Sequence, residues 1–189
     1  ETLVRETREE MYRKILESRE KGREISDEEA EKIADIVAVS ALKYGDLSNQ
    51  AAKDYAFDME KFTSFEGDTG PYILYTITRI KSILAKYREQ GGNLAQVVLG
   101  APQDEAEKAL MLQLVQFHAT MESACEEIAP HKVCSFVYDL ANAFNHFYHG
   151  TSILKEENES RRSALIALLV LTRDVLEACI DVLGFGAPE

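Results

Sequence analysis

An all-α fold, a bundle of five to seven helices, is what the sequence predicts, on three observations. Apolar residues recur at three- and four-residue spacing over long stretches, as one buried face of a helix requires. No segment sustains the apolar–polar alternation, bounded by turn residues, that marks a half-buried strand. Glu, Lys, Leu and Ala are plentiful, and only 4 prolines and 10 glycines interrupt 189 residues. With 46% apolar residues the chain can bury one substantial core, or one domain plus an extension, and does not read as disordered. No run of about 18 apolar residues is present, so no membrane span is expected. No secretory signal pattern opens the chain. It starts without Met in a charged stretch, which reads as a fragment excised from a longer protein.

Residues 1–23 are densely charged and helix-prone, with sparse apolar positions at Val4, Met11, Ile15 and Leu16. Such a helix either lies on the surface or packs on something outside this chain. Ser26-Asp27-Glu28-Glu29 has the capping-box pattern and starts a second helix. Ile33, Val37, Ser40/Ala41 and Tyr44 form its apolar side, widened by Ile36, Val39 and Leu42, and Gly45 is expected to stop it. After the turn at Asp46-Leu47-Ser48-Asn49 comes a short helical piece around 57–62, then the polar turn Glu66-Gly67-Asp68-Thr69-Gly70-Pro71. Thr69 or Asp68 can supply the capping oxygen of the next helix, and Pro71 suits its first turn because it has no N–H to leave unpaired.

That helix has two faces. Ile73, Ile77, Ile80 and Leu84 recur as an apolar stripe, while Tyr72, Tyr75 and Arg79 fall together on another side. A face bearing rings and an arginine suits an unpaired base, which stacks on aromatics and guanidinium planes. The same spacing also suits tyrosines at the edge of a core with their hydroxyls in water, and residue types alone leave both readings open.

Gly91-Gly92-Asn93 ends the helix, and a short apolar piece over 94–99 leads to Gly100-Ala101-Pro102. Asp104 can cap a helix with Ala106, Leu110, Leu114, Phe117 and Met121 on one face, bending or breaking near His118. Pro130 restarts the chain. Over 131–149, Val133, Val137, Leu140, Phe144 and Phe147 form a core stripe, with Tyr138, Asn142, Asn145 and His149 opposite and Tyr148 at the border. In the loop 150–158, Ile153 and Leu154 are expected to tuck back. The last helix, 159–183, is apolar on several sides, as a central helix is; Gly184 terminates it and Phe185 folds over its end.

The net charge of -12 argues against holding nucleic acid by bulk electrostatics, so any such contact must be local. One segment departs from that average: 71–90 carries Arg79, Lys81, Lys86 and Arg88 against Glu89 alone. A solvated helix face is the plain alternative. No catalytic pattern stands out. There is no phosphate-cradling glycine loop and no Gly-x-Ser-x-Gly elbow. His146 and His149 lack the spacing and the nearby Glu of a helical metal motif, and no metal site is expected. Asp54, Asp58, Glu60, Glu66 and Asp68 cluster before the central helix, where capping and turn duty are the plainer reading and a metal site the alternative. Cys125, Cys134 and Cys179, odd in number and widely spaced, read as buried thiols in a reducing compartment.

A resemblance goes further. The run Lys43-Tyr44-Gly45-Asp46-Leu47-Ser48, then Asp54-Tyr55, Phe57-Asp58 and Ser64-Phe65-Glu66-Gly67-Asp68-Thr69-Gly70-Pro71-Tyr72, with Tyr75, resembles the arginyl-tRNA synthetases, class I aminoacyl-tRNA synthetases. It continues through Glu107-Lys108-Ala109-Leu110, Pro130-His131, Tyr138-Asp139-Leu140-Ala141, Phe144-Asn145, Phe147-Tyr148-His149 and Arg173-Asp174-Val175-Leu176, and so covers nearly the whole chain. It implies a helical anticodon-binding domain at 33–189, preceded at 1–32 by a connector helix from a catalytic domain. The family's ATP signatures, His-Ile-Gly-His and Lys-Met-Ser-Lys-Ser, belong upstream, and neither occurs here. The implied parent is a cytoplasmic enzyme that joins arginine to its tRNA using ATP with Mg, whereas this fragment is expected to be inactive and to need no cofactor.

The implied partners are the anticodon loop of arginine tRNA and the fragment's own catalytic domain, with no membrane. By matching position, Tyr72, Tyr75, Phe144 and Tyr148 are implied to read the loop. Arg79 and Lys86 are expected on nearby phosphates. Periodicity disagrees in part, since Phe144 belongs to the core stripe while Tyr148 is at its edge. The family usually has Trp where this chain has Met59, and often Gln where it has Leu74. A helical protein-interaction or structural module without RNA binding is the alternative that the acidic charge favours.

Overall fold

The structure, a computed structural model, describes residues 2–19 and 25–188. Among them are eight α-helices and no strand: α1 (Thr2–Arg19), α2 (Asp27–Leu47), α3 (Met59–Phe62), α4 (Gly70–Glu89), α5 (Glu105–Val115), α6 (Phe117–Glu126), α7 (Pro130–Gly150) and α8 (Glu159–Val182). The count exceeds the expected five to seven because the Asp104 helix is interrupted, and the short piece expected around 57–62 is α3, one turn long. Residues 1 and 20–23 of the expected first helix lie outside the described residues. None of the described helices is long and apolar enough to cross a membrane.

The caps follow local chemistry. Ser26 accepts a hydrogen bond from the Glu29 amide (3.2 Å), and Asp27, Glu28 and Glu29 put negative charge at the positive end of α2. Thr69 caps α4 by accepting from the Tyr72 amide (3.2 Å), while its hydroxyl donates to the Ser64 carbonyl (2.7 Å) and closes the preceding turn. Asp104 caps α5, accepting from the Glu107 amide at 2.8 Å. The interruption between α5 and α6 falls at Gln116, two residues before the expected position.

Helices α4, α7 and α8 carry the core. Ile73, Ile77, Ile80 and Leu84 of α4 meet Val133, Val137, Leu140, Phe144 and Phe147 of α7 and Leu165, Leu168, Leu169 and Leu176 of α8, all buried. Each such side chain contributes about 1.5–3 kcal/mol of transfer free energy. The last turn closes as expected: Gly184 takes φ 81°, the Phe185 amide donates to the Ile180 carbonyl (3.0 Å), and the Phe185 ring sits edge-on to Tyr44 at 6.5 Å. Tyr44 is wholly buried, its hydroxyl bonded to Asp68 (2.6 Å) and to the Cys134 carbonyl (2.9 Å). Burial, reinforced by Asp68, pushes its pKa far up.

Three expectations are corrected. Helix α1 packs within the chain, burying Met11 and Ile15 against α2, although Leu3 and Val4 stay exposed. Gly45 does not stop α2, which runs on to Leu47; a Cβ at Gly45 would lie 2.4 Å from the Phe62 ring, so this glycine makes room for α3. Cys125 is exposed, whereas Cys134 and Cys179 are buried, with burial raising both thiols to about 12.

Where α2 crosses α4 the backbones touch. A Cβ at Gly70 would stand 2.3 Å from the Ser40 carbonyl oxygen, a main-chain atom that no rotamer change can move aside. The other internal tie is ionic. Glu107, 1% exposed, is held in bidentate fashion by Arg161 at the start of α8 and also accepts from the Gln103 amide at 3.0 Å.

Candidate functional site

The first three turns of α4 and the C-terminal half of α7 lie side by side and bring together most of the residues singled out in the sequence. The Arg79 guanidinium lies over the Tyr75 ring (4.7 Å to centroid) and over the Tyr148 ring (5.1 Å). Its Nη2 donates to the Tyr75 hydroxyl at 2.8 Å, and its Nη1 to Asn145 Oδ1 at 2.6 Å. Tyr72, edge-on to Tyr138 at 5.9 Å, donates to Asn142 Oδ1 (2.8 Å) and accepts from Asn145 Nδ2 (2.9 Å). Burial raises the Tyr72 pKa, and the Asn145 donor opposes that shift. Tyr72, Tyr75, Arg79 and Tyr148 therefore share one patch, with Tyr75 42% exposed and the other three half-buried.

Phe144 belongs elsewhere. It is 0% exposed, so the expectation that it touches a ligand is corrected: the core stripe holds it inside. Its ring stacks against Tyr148 (5.9 Å, 23° between planes) and so forms the floor on which that half-buried ring rests. Lys86 is exposed, two turns beyond Arg79 on the same side of α4, roughly 10 Å along the axis. The cationic cluster of α4 is divided, because Lys81 turns to the opposite side, pairing with Glu177 (2.8 Å) and donating to the Pro188 carbonyl (3.1 Å).

A groove of about 880 Å³ opens beside the patch, lined by Tyr72, Tyr75, Arg79, Asn145, His149 and Phe65 among others. That volume is in the range of ligand clefts, roughly 300–1,000 Å³. Two of the acids before α4 have local duties: Asp58 caps α3 and Asp68 holds Tyr44. Among the described residues no three His, Cys, Asp or Glu side chains converge as a metal ion needs.

Sequence reasoning missed Asn142 and Asn145 as the polar links between the two helices. Their signal is their spacing: three apart on the side of α7 opposite its apolar stripe, where amides facing a tyrosine-bearing helix have something to bond.

Residues 73–189 match the family model of the DALR anticodon binding domain, and residues 1–59 match that of the tRNA synthetases class I (R), catalytic domain. The arginine–tRNA ligase of Agathobacter rectalis is 55% identical, over 100% of this chain and 32% of its own length. That of Alkaliphilus oremlandii is 44% identical, over 99% of this chain and 31% of its own. Among solved structures, the arginyl-tRNA synthetase of Plasmodium falciparum superposes with a TM-score of 0.85 at 26% identity, covering 100% of this chain and 33% of that one. The Thermus thermophilus arginyl-tRNA synthetase does so with a TM-score of 0.84 at 29% identity, covering 100% and 31%. The chain spans about a third of the length of the curated relatives it matches.

Proposed function

Because this chain belongs to the DALR anticodon binding domain family, in the form carried by arginyl-tRNA synthetases, we propose that it is the tRNA-reading part of an arginine–tRNA ligase. Unpaired anticodon bases stack on Tyr72, Tyr75 and Tyr148, and Arg79 and Lys86 take nearby phosphates. The observation that carries this reading is the patch itself: three rings and one guanidinium from two helices, gathered beside an open groove on an otherwise acidic protein. Phe144 acts from below, by holding the Tyr148 ring.

The full-length enzyme joins arginine to its tRNA in the cytoplasm, drawing on ATP with Mg. Neither of the family's ATP signatures, His-Ile-Gly-His and Lys-Met-Ser-Lys-Ser, occurs in this chain. No step of the ligation is assigned to it. We also propose that residues 1–32 connect the bundle to a catalytic domain; the match of 1–59 to the class I catalytic model supports such a neighbour.

The test is binding of arginine tRNA by the isolated chain at two salt concentrations, alongside the same tRNA with a changed anticodon. Salt-sensitive affinity that the anticodon change abolishes is the expected result. Equal affinity for both tRNAs, or none for either, would leave the acidic bundle as a protein-interaction module.

A further inference from the structure

We infer that Asn145 is a positioning residue of this interface, holding Arg79 and Tyr72 in one fixed arrangement; the inference rests on the RNA-reading role proposed above. Asn145 stands at the junction of α4 and α7, half-buried behind the rings. Its Oδ1 accepts from Arg79 Nη1 (2.6 Å), and its Nδ2 donates to the Tyr72 hydroxyl (2.9 Å) and to Thr76 Oγ1 (3.1 Å). A guanidinium has only donors, so the amide oxygen must face Arg79 and the nitrogen must face Tyr72. A carboxylate there would have no proton to give Tyr72, and an ammonium nothing to offer Arg79. The amide thus serves both residues at once, and their relative placement becomes a single quantity.

The fold does not depend on this link. Tyr72 keeps its bond to Asn142, Thr76 donates to the Tyr72 carbonyl (3.1 Å), and the apolar stripes of both helices lie elsewhere. With the amide gone, the guanidinium keeps the Tyr75 hydroxyl and loses its second anchor. Its plane then wanders over the rings, and a base or phosphate must order it on arrival.

The experiment is a double-mutant cycle on this chain, read as Kd for the anticodon stem-loop of an arginine tRNA, with thermal unfolding run in parallel. Asn145→Ala is expected to weaken binding about 10-fold, the scale of a hydrogen bond to a charged group. In an Arg79→Ala background it is expected to change Kd by less than about 2-fold, because Arg79 is already gone and Tyr72 keeps its bond to Asn142. Asn145→Leu, close in shape, repeats the measurement should the alanine variant unfold. A full 10-fold loss persisting without Arg79, or no loss with Arg79 present, overturns the inference while wild-type binding keeps the RNA-reading role. Absence of wild-type binding overturns both.

Discussion

Replacing Tyr75 with alanine separates the proposed reading face from the scaffold better than any other single change. Tyr75 is 42% exposed on α4, and its neighbours Ile73, Leu74, Thr76 and Ile77 are all buried, so the ring faces outward from a fully packed helix. The folded protein loses a partly exposed cation–π contact with Arg79, worth about 0.5–1 kcal/mol. It gains several tenths of a kcal/mol, because alanine is the better helix former. The net change in stability is below about 1 kcal/mol, a shift of at most about 2–4 °C for a chain of this size. Binding should respond more strongly. One lost base stack costs about 1–3 kcal/mol. At 1.4 kcal/mol per factor of ten, Kd for an arginine anticodon stem-loop rises about 5- to 150-fold. Tyr75→Phe keeps the ring and gives up only the hydroxyl that accepts from Arg79, so it should weaken binding less than Tyr75→Ala does. Filter binding with a circular-dichroism melt on each variant makes the comparison. Wild-type affinity in a folded Tyr75→Ala protein would refute the stacking argument outright.

Glu107→Gln should cost about 3–5 kcal/mol in urea denaturation, because it leaves the Arg161 guanidinium without the buried carboxylate that compensates it. Gly70→Ala should destabilise by at least about 1–3 kcal/mol in the same assay, since the new methyl meets the Ser40 carbonyl and the α2–α4 crossing must open. Iodoacetamide at pH 8 should label Cys125 in the native protein and leave Cys134 and Cys179 unmodified until the chain unfolds. The same two thiols set an alkaline limit. Raised from an ordinary value of 9.0 to about 12, they stay protonated in the native state while the unfolded chain ionises. Their contribution to stability is therefore whole below about pH 9 and is lost as pH climbs toward 12, which urea midpoints across that range will show.

Much of this was readable from residue order alone. Capping chemistry is local, and Ser26, Thr69 and Asp104 each do what their neighbours imply. Helical period is equally local, and the stripes on α4 and α7 lie inward as spaced. Period also judged Phe144 better than positional resemblance did, because a residue's burial follows its helical face. What stayed hidden depends on contacts across the chain. Gly45 looks like a terminator until Phe62, 17 residues on, is seen pressed against it. Helix α1 looks unpartnered because its few apolar residues are matched by a surface of α2 that no spacing rule pairs with them. The division of the α4 cations, Arg79 to the rings and Lys81 to Glu177, needs the position of α8. Asn145 needs two helices side by side before its amide has anything to join.

The bare crossing at Ser40 and Gly70 has one more consequence. Side chains between helices act as cushions: they change rotamer and let one rod slide while the other stays put. Here peptide rests on peptide, two residues from Tyr72 and inside the first turn of α4 that Thr69 caps. A side chain added at Gly70 would have to push this joint apart, so the crossing fixes how closely α2 approaches the start of α4. The joint thus lies between a helix inside the segment that matches the catalytic model, 1–59, and the helix that carries Tyr72 and Tyr75, although the matched family segments stop at 59 and resume only at 73.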